Sequence, residues 1–452
     1  MVQNEEEKTA SELRRLATRR DLAQTLGCAD DEAFVLLVWA VNALQQNNMD
    51  GRAAAEKVFL FGRPADVETK EELAIYPWEL ETIANELLAS PKSIYRSLPC
   101  HQWEVARDVV NLVRRMDDLD FVSKRDGIDV FRELHRLGIR QFEWQQGFFN
   151  IPKFYRNIFI YGQGVCADYF QSKYGISINE FTCVGFGMYA SFVQRPNCTS
   201  DGDYRMFAVT PAARDKAQSI LAAPLPMLRD LAVQERAGWE MLAYRPSVLR
   251  RYPCVCFGPR GWRIRSPLPE LIFDRITSGL FYDVVSGDGS VRNAYGRRFE
   301  DYALGYLRAM LPAVTSDPEH LYPVAGKPIA TPDILLSEGE EGVVTLVIEC
   351  KATRMSLNAR YSDEPMEERG YEEIVKGIFQ LWRFFSHCRR GLTGRTCADN
   401  AVGMILTLDV WMVMNHGLFD ELFERATAMA QKSDPLIEEE DRRPISFVSI
   451  PD

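Results

Sequence analysis

The sequence predicts a multidomain protein in which a mostly α-helical N-terminal region precedes an α/β C-terminal domain. Its 452 residues exceed what one hydrophobic core usually serves, so more than one domain is expected. In the first part, apolar residues recur every three or four positions, which is typical of amphipathic helices. Beyond a Gly- and Ser-rich loop at 286–290, apolar strands alternate with such helices, as in α/β domains. We therefore expect three regions, with the bounds 1–140, 141–288 and 289–452.

Four helical segments are expected in the first region. Apolar positions with helical spacing fill 9–47 and 66–90, and the Asn-Asn-Met-Asp-Gly sequence after the first of them predicts a turn. Two further amphipathic stretches are Val105–Met116 and Val130–Leu137. Gly138 is expected to end the second one, because glycine often follows the last helical residue.

The middle region combines an aromatic-rich stretch with a predicted hairpin. Residues 142–161 carry many aromatic rings, a density that is more typical of a packed core than of a ligand-binding box. Pro253–Phe257 and Trp262–Ser266 flank a Gly-Pro-Arg-Gly turn, which predicts a β-hairpin. A helix is expected over Pro269–Tyr282, since proline is favourable at a helix start.

Composition and charge exclude several classes of protein. The net charge is −11, from 53 basic and 64 acidic residues, so the chain lacks the basic character of a constitutive nucleic-acid binder. The longest strongly apolar stretch, Ala33–Val41, is far shorter than the roughly 20 residues that span a bilayer. The acidic N-terminus is unlike a secretory signal, so we expect a cytoplasmic protein with no membrane partner. No GxxxxGK[ST] phosphate loop is present, which argues against an ATPase motor.

The ten cysteines and five histidines do not form a metal-binding pattern. There is no CxxC motif, and the close pair Cys254 and Cys256 has no second pair at zinc-site spacing. In a cytoplasmic protein, cysteines of this kind are expected to be small, reduced core residues.

An arginine-rich segment stands out against the acidic background. Residues 245–269 contain six Arg and no Asp or Glu, with Tyr and Trp among them. Arginine and aromatic side chains together suit phosphate contact and base stacking, and Arg260, Arg263 and Arg265 are the candidate nucleic-acid contacts. The alternative is a hairpin whose basic face pairs with the acidic N-terminal region.

The sharpest signal for chemistry is a predicted hairpin made of Thr331–Leu336 and Val343–Lys351. Alternate side chains of a strand share a face, so Glu349 and Lys351 lie together there. If Asp333 pairs opposite or diagonal to Glu349, two carboxylates and an ammonium group converge. Paired carboxylates bind a hard cation such as Mg²⁺, and the lysine is suited to position or activate a water molecule.

The strand context distinguishes this Glu-x-Lys tripeptide from chance occurrences. The same spacing occurs at Glu6–Lys8 and Glu68–Lys70, in polar or helical surroundings. Only the tripeptide at 349–351 ends an apolar strand and follows a strand opened by Pro-Asp. The alternative interpretation is a hairpin whose terminal charges are solvated.

Two predicted helices supply further candidate residues. Glu300 lies at the border of the apolar stripe of an upstream helix, where it could face the site. Gln380 lies on a downstream amphipathic helix that begins near Tyr371. A strand over 401–408 and a helix over 418–431 complete the predicted unit.

The order of these residues resembles the PD-(D/E)XK nuclease superfamily, which has the restriction-endonuclease-like fold. The matching elements are Glu300 on a helix, Pro332-Asp333, Glu349-Cys350-Lys351 and the helix of Gln380, within a part that begins near Ala294. Gln380 to Phe384 is similar to the QxxxY motif of RecB-like members, with Phe in place of Tyr. The resemblance implies a Mg²⁺-dependent phosphodiesterase in which Mn²⁺ can substitute for Mg²⁺. It implies the following roles: Asp333 and Glu349 as metal ligands, Lys351 as the catalytic lysine, Glu300 as an accessory acid, and Gln380 as an orienting group.

The sequence therefore leads to two functional expectations. The first is a metal-dependent nuclease, acting on DNA rather than RNA, in a setting such as bacterial defence against phage. Its N-terminal region would select substrate, sense a signal, or bind a protein partner or a second copy of the chain. The second is a non-catalytic protein that binds nucleic acid or a partner on a nuclease-like fold.

Overall fold

The chain divides into two compact units. Divisions between the units fall at 139/140 and at 283/284, among others, and residues 167–283 belong to the same unit as the N-terminal helices. Unit 1 comprises Met1–Ile128, Arg140–Ile151 and Ala167–Asp283, and unit 2 comprises Asp129–Ile139, Pro152–Cys166 and Val284–Asp452. The computed structural model describes residues 2–46, 48–59, 75–123, 130–239, 241–339, 342–361, 365–368, 370–410 and 416–450.

The part of the chain before the 283/284 boundary is mostly helical, as expected. The predicted helical stretch 9–47 is divided, because the first helix ends at Gly27 and Asp30 caps the next one by accepting a hydrogen bond from the Ala33 N–H. The helices are α1 (Val2–Gly27), α2 (Asp31–Gln45), α3 (Met49–Glu56), α4 (Pro77–Ala89), α5 (Trp103–Ser123), α6 (Val130–Gln146), α7 (Ile151–Tyr161), α8 (Gly164–Tyr174), α9 (Ile178–Gln194), α10 (Pro211–Leu221), α11 (Leu225–Arg236), α12 (Glu270–Ile276) and α13 (Leu280–Val284).

Four predicted helix bounds differ from the structure. The predicted Asn-Asn-Met-Asp-Gly turn is the start of α3, which Asn48 caps by accepting from the Gly51 N–H. Residues 66–74 of the second predicted helix lie outside the described residues, and α4 begins at Pro77. Gly138 does not end α6, because it and the next residue, Ile139, are buried and packing outweighs the low helix propensity of glycine. The helix expected over 269–282 is two short helices, interrupted at Thr277.

The predicted hairpin of the middle region is confirmed. Strands β3 and β4 pair antiparallel, with Cys256 opposite Ile264. The sheet of unit 1 has the order β1-β4-β3-β2, in which β2 joins β3 in parallel. Its strands are β1 (Cys198–Thr199), β2 (Ala222–Pro224), β3 (Cys254–Phe257) and β4 (Arg263–Arg265).

Unit 2 contains an α/β domain with a mixed sheet. The five-stranded sheet has the order β11-β10-β9-β8-β5. Strand β10 runs parallel to both of its neighbours, whereas β8 runs antiparallel to β9 and β5. The elements are α14 (Gly289–Met310), β5 (Thr315–Pro318), β6 (Leu321–Val324), β7 (Lys327–Ala330), β8 (Ile334–Glu338), β9 (Val343–Lys351), α15 (Leu357–Tyr361), α16 (Tyr371–Arg389), β10 (Cys397–Thr407), α17 (His416–Ser433) and β11 (Ile445–Ser449).

The core of unit 2 fixes α16 against the central strands. Ile378 and Leu381 on α16 pack with Val347 of β9 and Ile405 of β10, and all four are fully buried. Burial of aliphatic side chains of this size contributes about 1.5–3 kcal/mol each. This packing sets the position of α16 beside the end of β9, where the predicted site residues lie.

No helix in the described ranges is both long enough and apolar enough to span a lipid bilayer.

Candidate active site

The pairing of β8 with β9 brings the two predicted metal-binding carboxylates together. Ile334 pairs with Ile348 and Leu335 with Val347. Continued by one residue, this register sets Asp333 opposite Glu349, on the same face of the sheet. The Cys350 N–H donates to Asp333 Oδ2 at 2.6 Å, which fixes the Asp333 side chain at the end of β9. Asp333 and Glu349 therefore lie opposite each other, as the convergence of the two carboxylates requires.

Lys351 is held directly on one of these carboxylates. Its Nζ lies 2.6 Å from Glu349 Oε1, and the side chains are 14% and 4% exposed. Burial alone would lower the pKa of the lysine, but Glu349, Asp333 and Glu373 raise it above its usual value. Lys351 is therefore an ammonium group at neutral pH, and it acts as a donor and a positive charge.

Glu300 of α14 joins the same group of charges. The pKa of Asp333 is raised well above its usual range, first by burial and then by the negative charges of Glu349 and Glu300. The pKa of Glu300 is raised too, by burial and by the nearby Glu319 and Glu349. Glu300 therefore lies within electrostatic range of Asp333 and Glu349.

One carboxylate oxygen of Glu349 is available to bind a cation, and no described residue provides that cation. Oε1 accepts from Lys351, but Oε2 is buried and has no hydrogen-bond partner in the described part of the chain. A buried carboxylate oxygen without a partner is costly, and the charge of Glu349 opposes ionisation of Asp333 beside it. A divalent cation between the two carboxylates would relieve both penalties.

Asp333 and Glu349 are a small set of candidate protein ligands for a metal ion. Across the described ranges, no three His, Cys, Asp or Glu side chains are arranged to hold a metal ion. Mg²⁺ commonly keeps several waters and is bound by one or two carboxylates together with substrate phosphates. Asp333 and Glu349 meet this smaller requirement.

Gly377 and Glu373 lie beside these side chains, although they were not among the residues predicted from the sequence. A Cβ atom added at Gly377 would lie 3.0 Å from Lys351 Cε and 3.4 Å from Glu349 Cγ, so α16 lies directly on this pair. Glu373, one turn earlier on α16, accepts a hydrogen bond from the Thr353 hydroxyl and contributes to the raised pKa of Lys351. A glycine within a strongly amphipathic helix was the available sequence signal, since such a position often marks close packing.

Gln380 lies three residues after Gly377, on the same side of α16. Its Oε1 is buried without a hydrogen-bond partner among the described residues. The structure thus brings Gln380 to the side of the helix that bears Gly377 but gives it no hydrogen bond to Lys351. Phe384, which replaces the tyrosine of the QxxxY pattern, is 1% exposed and is part of the hydrophobic core.

Two of the three candidate nucleic-acid contacts pair with one acidic residue of the same unit. Both Arg263 and Arg265 form ion pairs with Glu32, with N–O distances of 2.6 and 2.9 Å. Hydrogen bonding to Arg263 is the main reason that the pKa of Glu32 is lowered. The Arg260 side chain lies outside the described residues.

Other arginines of this segment are paired in the same way. Arg245 contacts Glu86 at 2.7 Å, and Arg250 contacts Glu81 at 2.8 Å. The geometry therefore favours the second interpretation of the segment, in which its basic face pairs with the acidic N-terminal helices.

Comparison of the chain with protein-family models, with curated proteins and with solved structures gives no match.

Proposed function

We propose that unit 2 is a Mg²⁺-dependent nuclease domain that hydrolyses phosphodiester bonds, most readily in DNA. The observation that carries this proposal is the buried group at the end of β9: Asp333 opposite Glu349, with Lys351 on one Glu349 oxygen and the other oxygen without a partner. The resemblance to the PD-(D/E)XK superfamily supports the same assignment.

Each side chain has a role that follows from its charge state. Asp333 and Glu349 would hold Mg²⁺, which when bound supplies a Lewis acid for the phosphate and lowers the pKa of a water molecule. Lys351, as an ammonium group, would donate to a phosphate oxygen and stabilise the negative charge that develops there. Glu300 retains a proton more readily than an ordinary glutamate, so it is suited to proton transfer at the edge of the site.

The test is cleavage of plasmid DNA, single-stranded DNA and RNA by the full chain with Mg²⁺, with Mn²⁺ or with EDTA. We expect cleavage with either metal and none with EDTA. Glu349→Gln should abolish it, whereas Glu338→Gln, an exposed carboxylate of the same hairpin, should not. If no substrate is cut under any of these conditions, unit 2 is a non-catalytic protein on this fold.

A further inference from the structure

A second set of polar groups lies in unit 1, around a cavity of about 260 Å³. Three aromatic residues, Trp39, Tyr189 and Phe192, line it. The polar groups at its wall include Asn42 of α2 and Glu270, the first residue of α12. Nothing in the nuclease activity proposed for unit 2 uses these residues.

Glu270 is a carboxylate without a counter-charge. Asn42 Nδ2 donates to its Oε1 at 3.1 Å and to its Oε2 at 3.0 Å. No Lys, Arg or His side chain of the described ranges forms an ion pair with it, and burial raises its pKa. A carboxylate can accept about four hydrogen bonds, so the Asn42 amide and the backbone N–H of Glu270 itself leave part of this capacity unused.

Asn42 supplies another unused acceptor. The residue is 2% exposed, and its Oδ1 is buried with no hydrogen-bond partner within the described residues. The Trp39 indole N–H, by contrast, is already bonded to the Phe192 carbonyl at 2.7 Å. Two acceptor groups with free capacity thus lie at the cavity wall, namely the carboxylate of the half-buried Glu270 and the buried Asn42 Oδ1.

We propose that this cavity binds a small organic cation that carries N–H donors, such as an alkylammonium or guanidinium group. Its N–H groups would donate to Glu270 and to Asn42 Oδ1, and its positive charge would supply the missing counter-charge. Aromatic side chains favour such cations, because the ring face attracts positive charge. An anion would be repelled by Glu270.

Ligand binding to the full chain tests this site without any reference to cleavage. Isothermal titration calorimetry would compare methylguanidinium with methylurea, which has a similar shape and N–H donors but no charge. Tetramethylammonium, which is charged but has no N–H group, is the third probe. We expect saturable binding of methylguanidinium with a dissociation constant of about 1 mM or lower, which a ligand of this size can reach. The other two should bind about tenfold or more weakly.

Two charge-matched variants locate the site. Glu270→Gln keeps the shape and the contact with Asn42 but removes the charge, and it should weaken methylguanidinium binding by about tenfold or more. Asp230→Asn, at an exposed position of α11, removes the same charge and should have no effect. Equal binding of methylguanidinium and methylurea, or no saturable binding of methylguanidinium, would overturn the proposal even if Glu270→Gln failed to fold. Unchanged binding by a folded Glu270→Gln variant would do so as well.

Discussion

The Nζ atom of Lys351 lies 2.6 Å from Oε1 of Glu349, a residue two positions earlier on the same face of β9. Both side chains are largely buried, so neither charge is well solvated and each depends on the other. The pair leaves Glu349 Oε2 buried without a hydrogen-bond partner among the described residues. Stability and the proposed catalysis therefore depend on the same side chains.

Lys351→Ala should separate the catalytic role of the lysine from metal binding. We expect the cleavage rate to fall by about 10²–10⁴-fold, because a positioned charge is lost from the reacting phosphate. The unfolding free energy without metal should fall by about 3 kcal/mol, because Glu349 is left as a buried charge without its partner. Calorimetric titration should still detect Mn²⁺ binding, and Mn²⁺ should raise the melting temperature more in this variant than in the unmodified protein.

The control for this experiment is Lys327→Ala, an exposed lysine of β7 in the same unit. It removes an equal charge and should change neither cleavage nor stability appreciably. Near-normal turnover by Lys351→Ala would mean that the Glu-Cys-Lys tripeptide is only the end of a strand, and the nuclease proposal would fail with it.

Asp333→Asn should affect metal binding and stability in opposite directions. The new side chain keeps an oxygen that can accept from the Cys350 N–H, but it carries no charge. Without metal, the unfolding midpoint should therefore rise by a few degrees, since repulsion from Glu349 and Glu300 is removed. Cleavage should fall by at least about 10²-fold, and Mn²⁺ titration should give a much weaker affinity. A variant with the same Mn²⁺ affinity as the original chain would exclude Asp333 as a ligand.

The hairpin at the centre of the site was predictable because its signals are local. Alternation along 343–351 and the Pro-Asp start of the preceding strand are contained in short stretches of sequence. Strands β5 and β11 were not predicted, because they are short and partly polar edge strands. They form by pairing with β8 and β10, and this pairing involves distant parts of the chain.

Most features that were not predicted from the sequence depend on contacts between residues that are far apart in the chain. Arg263 and Glu32 are 231 positions apart in the chain. Local sequence patterns therefore allowed their pairing as one alternative but could not decide between it and nucleic-acid contact. The same holds for Gly377, whose importance depends on how α16 packs on β9. The roles of Glu300, Asp333, Glu349, Lys351 and Gln380 in catalysis or metal binding all stay predictions.

Arg265→Ala should lower stability without changing any affinity for nucleic acid. The Arg265 side chain is 14% exposed and pairs with Glu32, so its loss should cost about 1–3 kcal/mol of unfolding free energy. Binding to a nucleic-acid duplex, measured across salt concentrations, should keep the same dependence on salt. A decrease of about one unit in the slope of log K against log salt would instead assign this arginine to a phosphate contact.

His387 of α16 should make unit 2 less stable in mild acid. Its Nδ1 lies 2.9 Å from the Tyr322 hydroxyl, and its Nε2 lies 3.1 Å from Asp434 Oδ2. Burial lowers the pKa of His387 below 6.5, an effect that Asp434 opposes and that Arg390 and Arg383 reinforce. The unfolded chain thus binds the proton more strongly than the folded one, and the stabilising effect present above pH 6.5 is lost as the pH falls.

Thermal unfolding between about pH 5 and pH 8 measures this effect, and a His387→Gln variant provides the comparison. The unmodified chain should lose more stability than the variant as the pH falls below the ordinary histidine value. Parallel curves for the two proteins would show that His387 does not titrate differently in the folded state.

Gly377→Ala should damage catalysis through the position of α16. The added Cβ would lie 2.9 Å from Ile405 Cδ1 and 3.0 Å from Lys351 Cε, so either the helix or the lysine must shift. Overpacking of this kind costs about 1–3 kcal/mol, and displacement of a catalytic group by about 1 Å can lower a rate about 10²-fold. Gly305→Ala, on α14 with no atom within 4 Å of the new Cβ, should instead raise stability by about 0.4–1 kcal/mol and leave cleavage unchanged. If both variants cleave DNA at the original rate, the contact of α16 with Lys351 and Glu349 has no part in catalysis.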